Sequence, residues 1–343
     1  MAVLTLDNST IYLYGGFLQN GTIPDSGYLN PVYIYDYPNS IWSKLVIGGD
    51  VVPIRQDTKG VIDNSGLIYI FGGYNSTDEI LFNDMNILDT VSNNWTTLSI
   101  SENIPLRCSR YTVNILPNGI IVYIGGVEQV SYDATFTLVK MNKIELFNTN
   151  THEWSQMNAT GDEIDSRQHF SSVLTPDGNI VIFGGCTIAF AGVSPNLAVL
   201  DTNKNPFEWS TPVISETNSP PSIMGHTANL YYDFMIITFG YETVTEVDSS
   251  QVYLYNIKSN QWVTTFTPPD KKMTTTATPS ATSTFNPIIS SPPTKKSSKS
   301  LEIGLGIGIG AAFLISCIFI IIFIVRKRNS VIIETPGSHR LSS

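Results

Sequence analysis

Three cysteines, four histidines and a few clusters of carboxylates are the residues of this 343-residue chain whose types suit chemistry. Cys108, Cys186 and Cys317 are too few for a disulfide scaffold or a four-cysteine zinc site. Acidic groups crowd together at Asp78-Glu79, at Asp162-Glu163-Ile164-Asp165, and from Glu242 to Asp248. Paired carboxylates can exchange protons with a substrate, but only where their surroundings raise one pKa. Nothing in the flanking sequence does so, and a solvated negative rim that favours a basic or cationic partner is the expectation. No Gly-x-Ser-x-Gly elbow, HExxH helix or P-loop occurs. Five N-x-S/T acceptors, at Asn8, Asn20, Asn75, Asn94 and Asn158, are candidate glycosylation sites and are compatible with a secretory route.

The elements that position these residues follow from charge and periodicity. Residues 1–266 hold 10 Lys and Arg against 26 Asp and Glu, a net of -16, whereas residues 267–343 hold 9 against 3. So acidic a domain lacks the counterion-releasing surface that nucleic acid requires, and that partner class is excluded. Residues 267–302 are rich in Ser, Thr and Pro, cannot bury enough apolar surface to fold, and read as a disordered, stalk-like segment. Ile303 to Val325 is 23 residues without a charge, long enough for a helix to cross a ~30 Å hydrocarbon core. Arg326-Lys327-Arg328 follows at once, so residues 326–343 are expected as a short basic cytoplasmic tail. Lys295, Lys296 and Lys299 nearly balance that cluster, and orientation rests on the stalk, which argues for an outside-facing N-terminal domain at the plasma membrane. Gly304 and Gly308 have the spacing of a helix–helix contact.

Residues 1–266 are an internal repeat. Glycine pairs occur at Gly15-Gly16, Gly72-Gly73, Gly125-Gly126 and Gly184-Gly185, each ending an apolar run, and a degraded fifth copy ends at Gly240. One tryptophan follows each copy: Trp42, Trp95, Trp154, Trp209 and Trp262, spaced by 53, 59, 55 and 53 residues. Between glycine and tryptophan lies another apolar run closed by Asp36, Asp89, Asn148, Asp201 or Asn256. Pro117-Asn118-Gly119 and Pro176-Asp177-Gly178 supply tight turns before the glycine-terminated runs. Each unit reads as four short strands, with the first running from an arginine, as in Arg167 to Leu174. Even strand spacing with periodic glycine and aromatic marks predicts an all-β propeller of five visible four-stranded blades. The glycines serve close backbone approach and the tryptophans fill the wedge between blades, so function belongs in loops.

These glycine pairs, the runs of the Tyr33 to Asp36 type, the spaced tryptophans and the arginines Arg55, Arg107 and Arg167 resemble the kelch-repeat family. In the fifth copy Ile223 stands where arginine is expected and Tyr241 where the second glycine is expected. The resemblance implies blades whose first strands line a central channel, and hence a ligand-binding set of Arg55, Arg107, Arg110, Arg167, His169 and His226. Arginines there can grip carboxylates bidentately. It also suggests comparison with copper oxidases of the galactose oxidase type, which need two histidines, two tyrosines and a cysteine. Only His152, His169 and His226 lie within the repeats, with His152 expected on the opposite rim, and two ligands make a poor metal site. No cofactor is expected. The leading expectation is a membrane-anchored, non-enzymatic recognition or scaffold protein that binds a protein or glycan through rim loops. The alternatives are a carbohydrate-oxidising enzyme and a tail-anchored adaptor with a cytosolic propeller. Because Ala2-Val3-Leu4-Thr5 matches the middle of a first strand, an upstream extension with a signal peptide and one or two blades is a further expectation.

Overall fold

In the computed structural model of the protein, residues 1–16, 32–215 and 217–266 are described. The stalk, the apolar run 303–325, the basic tail, Asn20, Gly304 and Gly308 lie outside the described residues, and among those described no helix is long and apolar enough to cross a membrane. All regular structure among them is β-strand.

Five antiparallel four-stranded sheets follow one another along the chain as blades 1 to 5. Blade 3 shows the plan: Thr112–Ile115 pairs with Ile120–Ile124, that with Lys143–Asn148, and that with Glu153–Asn158. Blade 1 runs from Ala2–Leu4 to Ile41–Leu45, blade 2 from Gly60–Ile62 to Asn94–Thr97, blade 4 from Ser171–Leu174 to Glu208–Ser210, and blade 5 from Thr227–Tyr231 to Gln261–Val263. The first strands of consecutive blades lie side by side, which makes them the inner strands.

The repeated residues do the work that the periodicity assigns them. Each tryptophan faces the same third-strand register, as in Trp154 opposite Phe147 and Trp95 opposite Leu88. In blades 2 to 5 the ring then reaches the preceding blade: Trp95 meets Tyr14 with centroids 5.1 Å apart, and Trp154 meets Phe71 at 4.5 Å. Four apolar clusters, each shared by two neighbouring blades, form the core. The Asp or Asn that closes the third strand is a turn device in all five copies. Its side-chain oxygen accepts a backbone N–H two or three residues on, at 2.8 Å in Asp89 to Val91 and 2.9 Å in Asn148 to Asn150.

Three features depart from the sequence reading. The first strand of blade 4 does not run from Arg167; His169 has φ 55° and breaks it, leaving a bridge at Gln168 and a strand that starts at Ser171. In blade 5, Phe239 (φ 62°) takes the first-glycine conformation of Gly72 (φ 63°), and Gly240 (φ 100°) takes the second, so the degraded position is Phe239 rather than Tyr241. Gly48–Gly49 and Thr160–Gly161 add parallel fifth strands to the outer edges of blades 2 and 4. There Asp50 and Asp162 accept the N–H groups of Thr97 and Thr211 at 2.7 Å each, which puts the Asp162 carboxylate on an outer edge and not on the inner rim.

Candidate functional site at the inner rim

The second glycine of each pair donates its N–H to the next blade: Gly16 to Arg55, Gly73 to Cys108, Gly126 to Arg167 and Gly185 to Ile223. This bond sets the register between blades and corrects one assignment. Cys108, not Arg107, occupies the position of Arg55 and Arg167. Arg107 is displaced by one residue, donating to the Leu81 carbonyl at 3.1 Å with its guanidinium over the Tyr132 ring.

Arg55 and Arg167 are fully buried, and their donors are spent inside the fold. Arg55 forks onto both carboxylate oxygens of Asp84 at 2.8 and 2.9 Å and donates to the Gly72 carbonyl at 2.8 Å. Burial pushes the Asp84 carboxyl up, but the Arg55 guanidinium outweighs it and holds Asp84 below the usual carboxylate range. Arg167 bonds only to the carbonyls of Asp165, Gly184 and Ser194, and burial without a carboxylate partner pulls it down to about 10. Both tie an inner strand to the glycine pair of their own blade.

Two residues beyond these positions lies a partial ring, which runs from blade 2 to blade 5 and does not close among the described residues. Asp57, Arg110, His169 and Gly225 all have positive φ, from 51° to 65°. Arg110 N–H donates to the Asp57 carbonyl at 2.9 Å, His169 N–H to Arg110 at 3.1 Å, and Gly225 N–H to His169 at 2.8 Å. The heads of four inner strands are thus laced together, with three polar side chains on consecutive blades. The Arg110 guanidinium bonds Asp57 through Nε and Gln168 through Nη1, both at 3.0 Å, and lies over Tyr74 and Phe136. Burial holds the His169 imidazole below its ordinary pKa, with Asp57 opposing and Arg110 and Lys59 adding to the effect.

Beneath the ring the inner strands are polar. Lys59 Nζ reaches from blade 2 to the Phe170 carbonyl at 2.9 Å, and burial pulls its ammonium down to about 8. Ser171 Oγ and His226 Nε2 are 2.6 Å apart. A hydroxyl on an imidazole has the composition of a nucleophile and its base, but Ser171 is 2% and His226 4% exposed, with Phe183 packed edge-on against the imidazole. The pair is sealed from substrate and locks blade 4 to blade 5. Among the described residues no three His, Cys, Asp or Glu side chains gather to hold a metal ion. Asn8, Asn94 and Asn158 are exposed; the Asn75 amide is engaged by Asp78.

The ring therefore brings Arg110 and His169 together and separates them from Arg55, Arg107, Arg167 and His226. Sequence reasoning passed over Asp57, Gln168, Lys59 and Ser171. The spacing Arg55-Gln56-Asp57 against Arg167-Gln168-His169 carries the signal, since the residue two beyond the arginine is the ring member in both blades.

This repeated architecture has known counterparts. The kelch-repeats domain described for KLHDC2, KLHL20 and DRC7 matches residues 1–126 and 119–286. The chain belongs to the kelch-repeat family. It is 27% identical over 180 residues to Kelch domain-containing protein 3 of Rattus norvegicus, which covers 52% of this chain and 45% of that protein. With Kelch domain-containing protein 1 of Mus musculus it shares 22% identity over 285 residues, 75% of this chain and 66% of the relative. A plant enzyme, the N-(sulfonatooxy)prop-2-enimidothioate sulfolyase of Thlaspi arvense, is 25% identical over 162 residues, 47% of this chain and 45% of the enzyme. The chain thus spans a little under half the length of the first of these relatives. Kelch-repeat domains typically act in protein binding or scaffolding.

Proposed function

We propose that this protein is a non-enzymatic recognition module, held at a membrane by residues 303–325, that takes a carboxylate-bearing segment of a partner protein at its inner rim. The observation that carries the reading is Arg110. Its backbone is fixed by the ring, two of its guanidinium nitrogens are oriented by Asp57 and Gln168, and Nη2 has no hydrogen-bond partner among the described residues. A guanidinium held through Nε and Nη1 presents its remaining Nη2 N–H groups to a carboxylate without first losing rotamer freedom. Protein is favoured over glycan because kelch-repeat domains typically act in protein binding or scaffolding. Screening the full chain against peptide and glycan arrays tests this. Capture of peptides that weakens at least tenfold in Arg110→Gln is the expected result; capture of glycans alone, or peptide binding indifferent to Arg110, overturns it.

The uncharged 23-residue run, the basic residues after it and the Ser/Thr/Pro-rich segment before it support a single span with the blades outside the cell. Protease added to intact cells should then remove a tag placed before residue 267 and spare one at the C-terminus. A protected N-terminal tag would reverse the topology.

A further inference from the structure

Beside the ring, blades 4 and 5 line an open cleft of about 480 Å³, within the range of small-ligand pockets. His169, Met224, Gly225 and Gly240 form its inner side, and Phe190, Phe239, Tyr241 and Asp248 line the rest. Phe190 and Phe239 are 50% and 64% exposed, and both have left-handed backbones, with φ of 60° and 62°. That conformation is strained for a bulky side chain. Two exposed aromatic residues held that way on one cleft need a reason, because stability alone disfavours both features.

The loops that carry them are built. Phe190 N–H donates to the Thr187 carbonyl at 3.0 Å, and Ala191 N–H to Thr187 Oγ1 at 3.2 Å. On the other side Ser249 N–H bonds Gly240 at 2.7 Å and Glu242 N–H bonds Val247 at 2.9 Å, which places Asp248 opposite Tyr241. Asp248 is exposed and belongs to none of the ion pairs among the described residues. The arginine of the ring, Arg110, is already paired with Asp57 at 3.0 Å. Glu242 and Glu246 share the Asp248 loop, and residues 1–266 carry a net charge of -16. Aromatic faces with one unpaired carboxylate complement a cation that also has apolar bulk.

We infer that the cleft between blades 4 and 5 is a subsite for a basic side chain, arginine or lysine, of the partner protein, with Phe190, Phe239 and Tyr241 around the stem and Asp248 on the charge. The inference rests on the reading of a protein partner and adds to the carboxylate grip of Arg110 a second, opposite charge requirement. A partner segment would then carry an acidic and a basic group.

Calorimetric titration of the full chain with Nα-acetyl-arginine amide, Nα-acetyl-lysine amide and the uncharged Nα-acetyl-norleucine amide tests the subsite by itself. The arginine and lysine amides should bind at least tenfold more tightly than norleucine, and Asp248→Asn should weaken them at least fivefold. Phe239→Gly restores the residue that the other four blades carry there; it should melt no lower than the natural chain yet also bind the amides at least fivefold more weakly. Equal binding of lysine and norleucine, binding indifferent to Asp248→Asn, or full binding by folded Phe239→Gly overturns the subsite. If Phe239→Gly does not fold, Asp248→Asn decides. No heat with any amide, alongside Arg110-dependent peptide capture, removes this inference and leaves the inner-rim reading standing. Amide binding with Arg110-independent capture does the reverse.

Discussion

Five tryptophans with one sequence role have two fates. Trp95, Trp154, Trp209 and Trp262 are 2–5% exposed because each inserts against the preceding blade; Trp42 is 57% exposed because among the described residues nothing precedes its blade. Trp154→Ala should therefore cost about 3–5 kcal/mol, the usual loss for a buried large aromatic. Trp42→Ala should stay within about 0.5 kcal/mol, as surface substitutions do. Urea denaturation of the two variants measures the contrast, and equal losses would mean that Trp42 is covered. The buried arginines differ in the same instructive way. Arg55 has Asp84 beneath it, but the corresponding residue under Arg167 is Asn196, whose carbonyl accepts from Gly184 as that of Asp84 does from Gly72. The Asn196 Oδ1 atom is buried without a partner. Asp84→Ala should destabilise toward the lower end of about 3–5 kcal/mol, since it strands a buried charge whose partner was partly exposed. Asn196→Asp, by contrast, should raise the melting temperature by giving Arg167 the carboxylate that Arg55 has. A fall on adding that carboxylate would show that Arg167 is better served by carbonyls alone.

Each blade boundary is joined by the same backbone bond from the second glycine, but blades 4 and 5 are also joined by the Ser171–His226 pair. Thr58, Tyr111 and Phe170 hold the place of His226 in the other blades, so the imidazole is a local choice in a shared frame. Burial pulls His226 down to about 3. The unfolded chain binds that proton near pH 6.5, so between about 6.5 and 3 it holds more protons than the folded chain, and stability falls as pH falls through that window. In His226→Phe this slope should shrink relative to the natural protein. Melting curves from pH 7 to 4 would reveal it, and parallel curves would mean that other groups govern acid sensitivity. The same comparison explains what could be read from the sequence. Glycine pairs, tryptophans and turn-closing Asp or Asn were legible because one backbone or packing demand, met four or five times, selected one residue type or a pair of near-equivalents. Of the inner-rim ring only Arg110 and His169 were, because its members share a conformation and not a chemistry: Asp57, Arg110, His169 and Gly225 stand at one place in four blades. Likewise Cys108 in the place of Arg55 hid the register of blade 3, and the neighbouring Arg107 supplied a false match.

Across the whole set of blades, packing is a chain of nearest-neighbour contacts. Four clusters join blades 1 to 2, 2 to 3, 3 to 4 and 4 to 5, so blades 2, 3 and 4 are packed on both faces by described residues. Blades 1 and 5 each have one such face. Their other faces show it: Leu4, Tyr33 and Trp42 are 40–57% exposed on blade 1, and Tyr231 and Val252 are 48% and 60% exposed on blade 5. When units contact only their neighbours, local stability is a sum of unit and interface contributions, and the units with one interface open first. Backbone amides of blade 3, such as those of Val122 and Leu146, should then exchange most slowly in native-state hydrogen exchange. Amides of blade 1, such as Tyr12 and Ile34, and of blade 5, such as Ile236, should exchange faster, with a protection gap that widens in mild denaturant. The gradient should sharpen on the blade 1 side in Trp95→Ala, which weakens the single interface holding that blade, and should leave blade 5 unaltered. Uniform protection over all five blades in the full chain would mean that a further part of the protein covers both open faces and closes the ring. Protection lost on blade 5 in response to Trp95→Ala would mean that the blades unfold as one unit and not as a series.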